Sequence, residues 1–138
     1  MKKKIISIVF ITAGIFIFNM ISGFKPSDEK KPWPVPDNYK NTKNPVASNA
    51  ESIADGKTLY STHCKSCHGA KGLGDGSKAA TLKTEPGNFS SADFQAQPDG
   101  GIFYKTSEGR DDMPSFKKKI ADKDDIWSIV NYVRTLKK

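Results

Sequence analysis

The spacing of two cysteines and one histidine constrains this chain more than any other feature of its sequence. The letters CKSCH occupy positions 64–68 and contain both cysteines of the 138 residues, and His68 is one of two histidines. Cys64, Cys67 and His68 therefore lie close together in any fold that the chain adopts. Whatever soft-ligand chemistry the chain performs is concentrated in this one short turn.

The CxxCH spacing is the attachment pattern of c-type haem. Two thiols separated by two residues on a helical turn can each add to one vinyl group of a porphyrin, and the next residue then stands under the iron. The sequence therefore predicts one covalently bound haem c, attached to Cys64 and Cys67, with His68 as the proximal axial ligand of the iron.

Three other uses of these side chains fit the sequence less well. A structural zinc site requires four nitrogen or sulfur ligands in a tetrahedron, and the chain offers only its two cysteines and two histidines, of which His63 and Cys64 are adjacent. A thioredoxin-like dithiol requires a strand before the motif, whereas a helix is predicted there. A disulfide, which an exported compartment favours, leaves His68 without a role.

The second axial ligand can be sought by elimination among the three methionines. Met1 starts the chain and Met20 lies in an apolar N-terminal stretch, which leaves Met113. Pro114 disfavours the helical conformation for the residue before it, so Met113 is expected in an extended loop with its side chain directed inward. Methionine is a known axial partner of histidine, and we predict Met113 as the distal ligand. The alternative is a gap-filling methionine.

Helical patterns occur on both sides of the motif. Ser48 and Glu51 have the spacing of a capping box, and apolar residues then recur at helical intervals up to the motif. A short helix in the middle of the chain is expected to end at Gly109 in the left-handed conformation. Acidic residues from Asp122 onward precede the apolar stripe of a last helix, formed by Ile126, Ile129, Val130, Val133 and Leu136. The predicted fold class is all-α with a loop-rich middle, and its small core needs a staple or a cofactor.

The chain divides into three parts by composition. Residues 5–24 are almost uninterruptedly apolar and follow a lysine-rich start, which predicts a signal or membrane anchor over 1–24. Residues 25–47 are predicted to form a Pro-rich tether, and residues 48–138 the haem domain. We expect the domain on the periplasmic side of a bacterial inner membrane, anchored by residues 5–24. The alternative is a soluble periplasmic protein after cleavage.

The charge pattern disfavours one class of partner and leaves another open. The formal net charge is +7, and Lys2, Lys3 and Lys4 supply three of the positive charges. The other lysines are dispersed and no arginine cluster alternates with aromatic residues, so no nucleic-acid interface is predicted. Dispersed lysines can still face acidic protein partners. No catalytic triad or metal-pair spacing is evident, and no small-molecule substrate is predicted.

Several segments resemble one protein family. They are Gly56 and Tyr60, the CKSCHG turn, MPSF at 113–116 and IWSIVNYVRTL at 126–136. Together they are similar to the monohaem, histidine/methionine-ligated cytochromes c called class I. The resemblance covers about Ile53 to Leu136.

The resemblance implies that the first and last helices cross beside the haem. Four residues would form this contact: Gly56, Tyr60, Ile129 and Tyr132. One departure from the family follows His68. Many members carry a proline in the next loop whose carbonyl orients the proximal histidine, and this sequence has none there.

The ligand set and the resemblance together imply an electron carrier rather than an enzyme, because two protein ligands leave no open iron position for a substrate. The implied partners are redox proteins, membrane respiratory complexes in particular. One alternative is a haem c subunit of a larger respiratory oxidoreductase complex. Another is a gas-binding or catalytic haem protein, which requires that Met113 does not bind the iron.

Overall fold

Six α-helices make up most of the regular structure of residues 32–138, the part of the chain that the computed structural model describes. They are α1 (Asp37–Lys40), α2 (Ala50–His63), α3 (Lys65–His68), α4 (Ala92–Gln95), α5 (Asp99–Glu108) and α6 (Lys123–Arg134). A 3₁₀ turn lies at Ala79–Thr81, and the one extended pairing among these residues is an isolated bridge between Arg110 and Met113. The all-α prediction is confirmed.

Helix α2 begins one residue later than its capping pattern predicted. The N-cap is Asn49, whose side chain accepts a hydrogen bond from the amide of Ser52 (2.9 Å), while the Ser52 hydroxyl accepts one from the amide of Asn49 (3.2 Å). The predicted pair of Ser48 and Glu51 is wrong. Asn49 has the extended backbone of an N-cap (φ −130°), and Ser52 also donates to the carbonyl of Ala47 (2.8 Å), which holds it in the capping position.

Helices α2 and α6 cross at a glycine, as the resemblance implied. A Cβ atom added at Gly56 would overlap the carbonyl oxygen of Ser128 and lie 3.0 Å from the amide nitrogen of Ile129, so the two backbones touch here. The rings of Tyr60 and Tyr132 pack beside the crossing with centroids 5.1 Å apart. The predicted contact is confirmed, and it holds α2 and the CKSCH turn that follows it.

Helix α6 supplies much of the core. Asp122 caps its start by accepting a backbone hydrogen bond from the first turn (2.9 Å). The predicted apolar stripe is buried as far as Val133, while Leu136 is half-buried beyond the helix end. Phe103 of α5 stacks on Trp127 of α6 with ring centroids 4.1 Å apart, which joins the third long helix to the other two.

The segment before α2 also lies on the helical core. We call residues 33–46 the strap. Tyr39 of α1 packs its ring 4.9 Å from that of Tyr104 in α5. Near the end of the strap, Asn44 donates to the side-chain oxygen of Asn131 in α6 (2.8 Å). The strap therefore contacts both α5 and α6.

The division into anchor, tether and haem domain stays a prediction. The predicted anchor at 5–24 lies outside the described residues. Within 32–138, no helix combines the length and the hydropathy that crossing a bilayer requires. Trp33–Lys138 form one compact unit, so this unit includes the strap as well as the predicted haem domain.

Candidate functional site

The CKSCH turn continues α2 with almost no break in hydrogen bonding. The amide of Cys64 donates to the carbonyl of Tyr60 (2.9 Å), and the Cys64 carbonyl accepts from the amides of Cys67 (3.1 Å) and His68 (2.9 Å). These bonds make α3 a single helical turn, which ends at Gly69 with a φ of 79°. Both thiols are free and half-buried. The structure thus places the three predicted residues on one turn.

Residues 69–78, which we call the glycine loop, fold back over this turn. Three of its amides donate to three carbonyls of the turn: Gly74 to His68 (2.9 Å), Gly76 to Cys67 (3.1 Å) and Lys78 to Ser66 (2.8 Å). A Cβ atom at Gly76 would overlap the carbonyl oxygen of Ser66, so this close approach requires glycine. The loop satisfies carbonyls that a one-turn helix leaves open, and its three hydrogen bonds hold the turn in place.

The imidazole of His68 lies in largely apolar surroundings. Its ring stacks on Phe89 with centroids 4.4 Å apart and an interplanar angle of 25°. Burial lowers the pKa of His68, and the backbone of Gly87 opposes this shift to a smaller extent. Nδ1 is buried without a hydrogen-bond partner among the described residues. The neutral ring that burial favours is the form that binds a metal.

A proline does approach the motif, but from further along the chain. The carbonyl oxygen of Pro86 lies so close to Gly74 (φ 81°) that a Cβ atom there would overlap it. The next residue, Gly87, is the one whose backbone influences the pKa of His68. The sequence analysis missed this segment because the whole glycine loop separates it from His68. A search for any later proline in the loop region could have found it.

Tyr60 ties α2 to the end of the turn. Its hydroxyl donates to the carbonyl of Gly69 (2.7 Å), and its side chain is among the most buried in the structure. Burial raises the pKa of Tyr60 far above its usual value, so the hydroxyl stays protonated and remains a donor. The sequence analysis gave Tyr60 a packing role alone. Its hydrogen bond could have been expected, because a buried tyrosine hydroxyl needs a hydrogen-bond partner.

The other uses of the cysteines gain no support. Burial raises the pKa of Cys64 to about 12, and the neighbouring Cys67 adds a smaller contribution, whereas a reactive dithiol needs a lowered thiol pKa. Within residues 32–138, no group of three or more His, Cys, Asp or Glu side chains is placed to bind a metal ion. His63 instead packs edge-on against Phe116, with ring centroids 5.9 Å apart.

Met113 lies in a tight turn between α5 and α6. Gly109 ends α5 with a φ of 69° and a ψ of 173°, so the predicted positive φ is present but the conformation is not left-handed helical. Arg110 and Met113 exchange two backbone hydrogen bonds of 2.8 and 2.9 Å around a turn in which Asp111 has a φ of 52°. Met113 is half-buried and packs against the core. It lies in the loop that Pro114 predicted.

Contacts from outside also hold this methionine loop, which we define as residues 109–116. Ser115 donates to the carbonyl of Ser107 in α5 (2.7 Å), Asp112 accepts from the amides of Lys83 (2.7 Å) and Thr84 (3.1 Å), and the Arg110 guanidinium lies 4.5 Å from the Trp33 ring of the strap. The sequence analysis predicted neither the Asp112 nor the Trp33 contact. No local pattern pairs residues that are so far apart along the chain.

The donor set fits a covalently held haem. Two free thiols and an imidazole whose pKa is lowered by burial share one turn. The Nδ1 atom of His68 has no hydrogen-bond partner among the described residues, and the Met113 thioether lies in a separate loop. Histidine with methionine is an established axial pair for haem iron. The assignment of Cys64, Cys67, His68 and Met113 to these roles stays a prediction.

The solved structures to which this chain is similar include cytochromes. The chain is similar to a chain of the reducing HAO-like protein complex of Kuenenia stuttgartiensis (TM-score 0.63, 26% identity, covering 80% of this chain and 53% of that one). It is also similar to the c-type cytochrome KustC0563 (TM-score 0.54, 34% identity, 61% and 99%) and to cytochrome CL of the marine bacterium Methylophaga aminisulfidivorans (TM-score 0.50, 25% identity, 63% and 56%). The chain thus spans about half the length of the first of these.

The sequence comparison identifies the family directly. No curated protein gives a significant match. Residues 53–137, which include the CKSCH turn and the methionine loop, match the family model for cytochrome c. That match covers more than half of the chain, and the helical fold agrees with it. The chain therefore belongs to the cytochrome c family, which implies a covalently bound haem c and a role in electron transfer.

Proposed function

We propose that this chain is a one-electron carrier with a single haem c attached to Cys64 and Cys67. The observation that carries the proposal is the CKSCH turn, because it presents both thiols and His68 on one helical turn to which the glycine loop is hydrogen-bonded. The sequence contains one CxxCH motif, which supports one haem. When bound, haem c supplies a one-electron couple at its iron.

The chain's own residues would bind and orient this group. The thiols of Cys64 and Cys67 would hold the haem covalently through its two vinyl groups, which would prevent the ring from dissociating. His68 would bind the iron, because burial favours the neutral imidazole. Phe89, stacked on His68, helps to keep water away from the site. An apolar shell of this kind controls solvent access and hence the potential.

We assign the second axial position to Met113. It is the one methionine after residue 24, and it is half-buried in a loop attached to α5 and to Lys83 and Thr84. A thioether ligand opposite histidine raises the potential of the iron. With two protein ligands no position is left for a substrate, which supports a carrier over an enzyme or a gas-binding protein.

Extraction and spectroscopy of the purified protein test these assignments. After treatment with acid and organic solvent the pigment is expected to stay with the polypeptide. The oxidised protein is expected to show a weak near-infrared sulfur-to-iron charge-transfer band that is absent in Met113→Ala. Freely extractable haem would overturn covalent attachment. A wild type that lacks the band and readily binds carbon monoxide when reduced would favour the gas-binding or catalytic alternative.

A second candidate function is a haem-bearing subunit of a larger redox complex. The similarity to a chain of the reducing HAO-like protein complex supports protein redox partners for this chain. Native extracts fractionated by size distinguish the two candidates. Haem absorbance that elutes as a small free protein supports the carrier, and haem that elutes with other redox subunits supports the complex.

Export and membrane anchoring belong to the same proposal, with membrane respiratory complexes as partners. The apolar stretch at 5–24 after a lysine-rich start supports an anchor on the periplasmic side. Sequencing of the mature N-terminus tests it, because a soluble protein that begins after Gly23 excludes the anchor.

Docking to those partners is expected to depend on charge. Lys65 and Lys71 beside the CKSCH turn, and Lys117 to Lys119 beyond the methionine loop, are all exposed. Such a surface attracts acidic partners, with association rates that fall as salt rises. Electron-transfer rates to a purified partner that do not change with ionic strength would contradict this steering and leave the carrier role intact.

A further inference from the structure

One carboxylate joins the two loops that flank the predicted haem site. Oδ2 of Asp112 accepts hydrogen bonds from the amides of Lys83 (2.7 Å) and Thr84 (3.1 Å). These amides belong to the loop that runs on to the backbone beside His68, and Asp112 itself directly precedes Met113. A single side chain therefore connects the methionine loop to the segment that passes the proximal histidine.

Several contacts position the methionine loop, and they act on different parts of it. The two bonds between Arg110 and Met113 define the shape of the turn but do not attach it to the rest of the domain. Ser115 attaches the far end of the loop to Ser107. Asp112 attaches the tip, and its bonds are charge-assisted, which makes them stronger than bonds between neutral groups. Loss of this carboxylate would therefore weaken the attachment of the part of the loop next to Met113, while Arg110 still lies 4.5 Å from the Trp33 ring.

The neighbouring acid supplies a matched control. Asp111 lies in the same turn, and its carboxylate pairs with Arg110 inside that turn at 3.4 Å. Its φ of 52° is one that asparagine also adopts readily. Asp111→Asn therefore removes a negative charge next to Asp112 without straining the turn or touching Lys83 and Thr84.

We propose that Asp112 is a positioning residue for Met113, which by binding the amides of Lys83 and Thr84 keeps the methionine loop closed. This inference rests on the proposed axial role of Met113. Closure of the loop then sets how readily the thioether leaves the iron. The apparent affinity for an added iron ligand scales with the fraction of molecules in which the loop is open, so that affinity reports the clamp.

Imidazole titration of the oxidised holoprotein, followed through the shift of its main visible haem absorption band, is the test. Asp112→Ala is expected to raise the apparent imidazole affinity on the order of tenfold, because more molecules are open. Asp112→Asn is expected to raise it less, since its amide oxygen still accepts both backbone amides without the charge. Asp111→Asn is expected to leave it unchanged. Hydrogen exchange at the amides of Lys83 and Thr84 is expected to accelerate in Asp112→Ala and not in Asp111→Asn.

Met113→Ala separates this inference from the proposed function. If Met113→Ala binds imidazole no more tightly than the wild type, Met113 is not the axial ligand. The axial assignment of Met113 and the proposed role of Asp112 then both fail. If it binds more tightly while Asp112→Ala matches the wild type, the clamp alone fails. If Asp112→Ala yields no holoprotein, the two asparagine variants decide. A rise in Asp112→Asn alone supports the clamp, and equal affinities in Asp112→Asn and Asp111→Asn overturn it.

Discussion

The CKSCH turn and the methionine loop carry the two proposed axial ligands of the haem iron, and they are held in different ways. The CKSCH turn extends α2, and the loop that closes over it follows directly in the sequence. The methionine loop is attached through Asp112 to residues 28 and 29 positions away, and through Arg110 to the strap. Local bonds close small loops at little entropic cost, whereas distant ones depend on the completed fold. The methionine loop is therefore the side expected to open first.

Removal of each proposed axial ligand should give the largest difference between the two sides. His68→Ala loses the ligand on the covalently attached side, and we expect little holoprotein to form. Met113→Ala is expected to keep covalent haem and to bind carbon monoxide when reduced, because only the distal side is opened. Haem staining on denaturing gels and carbon monoxide difference spectra measure both effects. A Met113→Ala protein that does not bind carbon monoxide would contradict the distal assignment.

Damage to the support of the CKSCH turn is expected to have the next largest effect. Gly56→Val forces a branched side chain into the backbone of α6, and overpacking of this kind lowers the free energy of unfolding by about 1–3 kcal/mol. Gly87→Ala is the matched control, since a Cβ atom there meets nothing within 4 Å, and it should change stability by less than about 0.5 kcal/mol. Urea unfolding measures both. Equal midpoints for Gly56→Val and the wild type would argue against the crossing.

A smaller effect is expected from the hydroxyl that reaches the end of the turn. Tyr60→Phe keeps the buried ring and removes the hydrogen bond to Gly69, whose carbonyl keeps a longer bond from the amide of Gly72 (3.3 Å). We expect a loss of about 0.5–1.5 kcal/mol in unfolding free energy. The near-infrared band should be unchanged because the methionine loop is untouched. A loss of that band would show that the two sides are not independent.

The smallest effect is expected from the strap. Trp33→Ala removes the ring that faces the Arg110 guanidinium at 4.5 Å and the Lys105 ammonium at 5.8 Å, and cation–π contacts at exposed sites contribute about 0.5–1 kcal/mol. Trp33→Phe keeps an aromatic face and should lose less. Urea unfolding of the two variants measures the difference. If both lose the same amount, the contribution comes from packing alone and not from the charge over the ring.

The starts of α2 and α6 show how well the sequence predicted the ends of the helices. Two overlapping capping patterns occur at the start of α2, Ser48 with Glu51 and Asn49 with Ser52. Contacts with residues outside the helix favour the second pattern. Ser52 acts as the capping partner because its hydroxyl also bonds to Ala47 and accepts from Asn131 of α6 (3.1 Å). Helix α6 begins directly after Asp122, where the acidic residues predicted its start, and the structure adds that Asp122 is its N-cap.

The sequence by itself determined the features that depend on spacing. The resemblance to a family implied the contact between the backbones of α2 and α6 at Gly56. The spacing of CxxCH placed two thiols and an imidazole on one turn, and the apolar stripe placed α6 in the core. These features follow from helical geometry, which repeats every few residues and can therefore be predicted from the amino-acid sequence alone.

Only the tertiary structure decided what surrounds the ends of the site. Asp112 meets the amides of Lys83 and Thr84, Pro86 passes against the glycine loop, and the strap brings Trp33 to Arg110. Each contact joins irregular segments. Their sequences contain no periodic pattern from which the contacting residue could be predicted. Their backbones take a defined path only after the long helices have packed, and the side chains that meet are set by that packing.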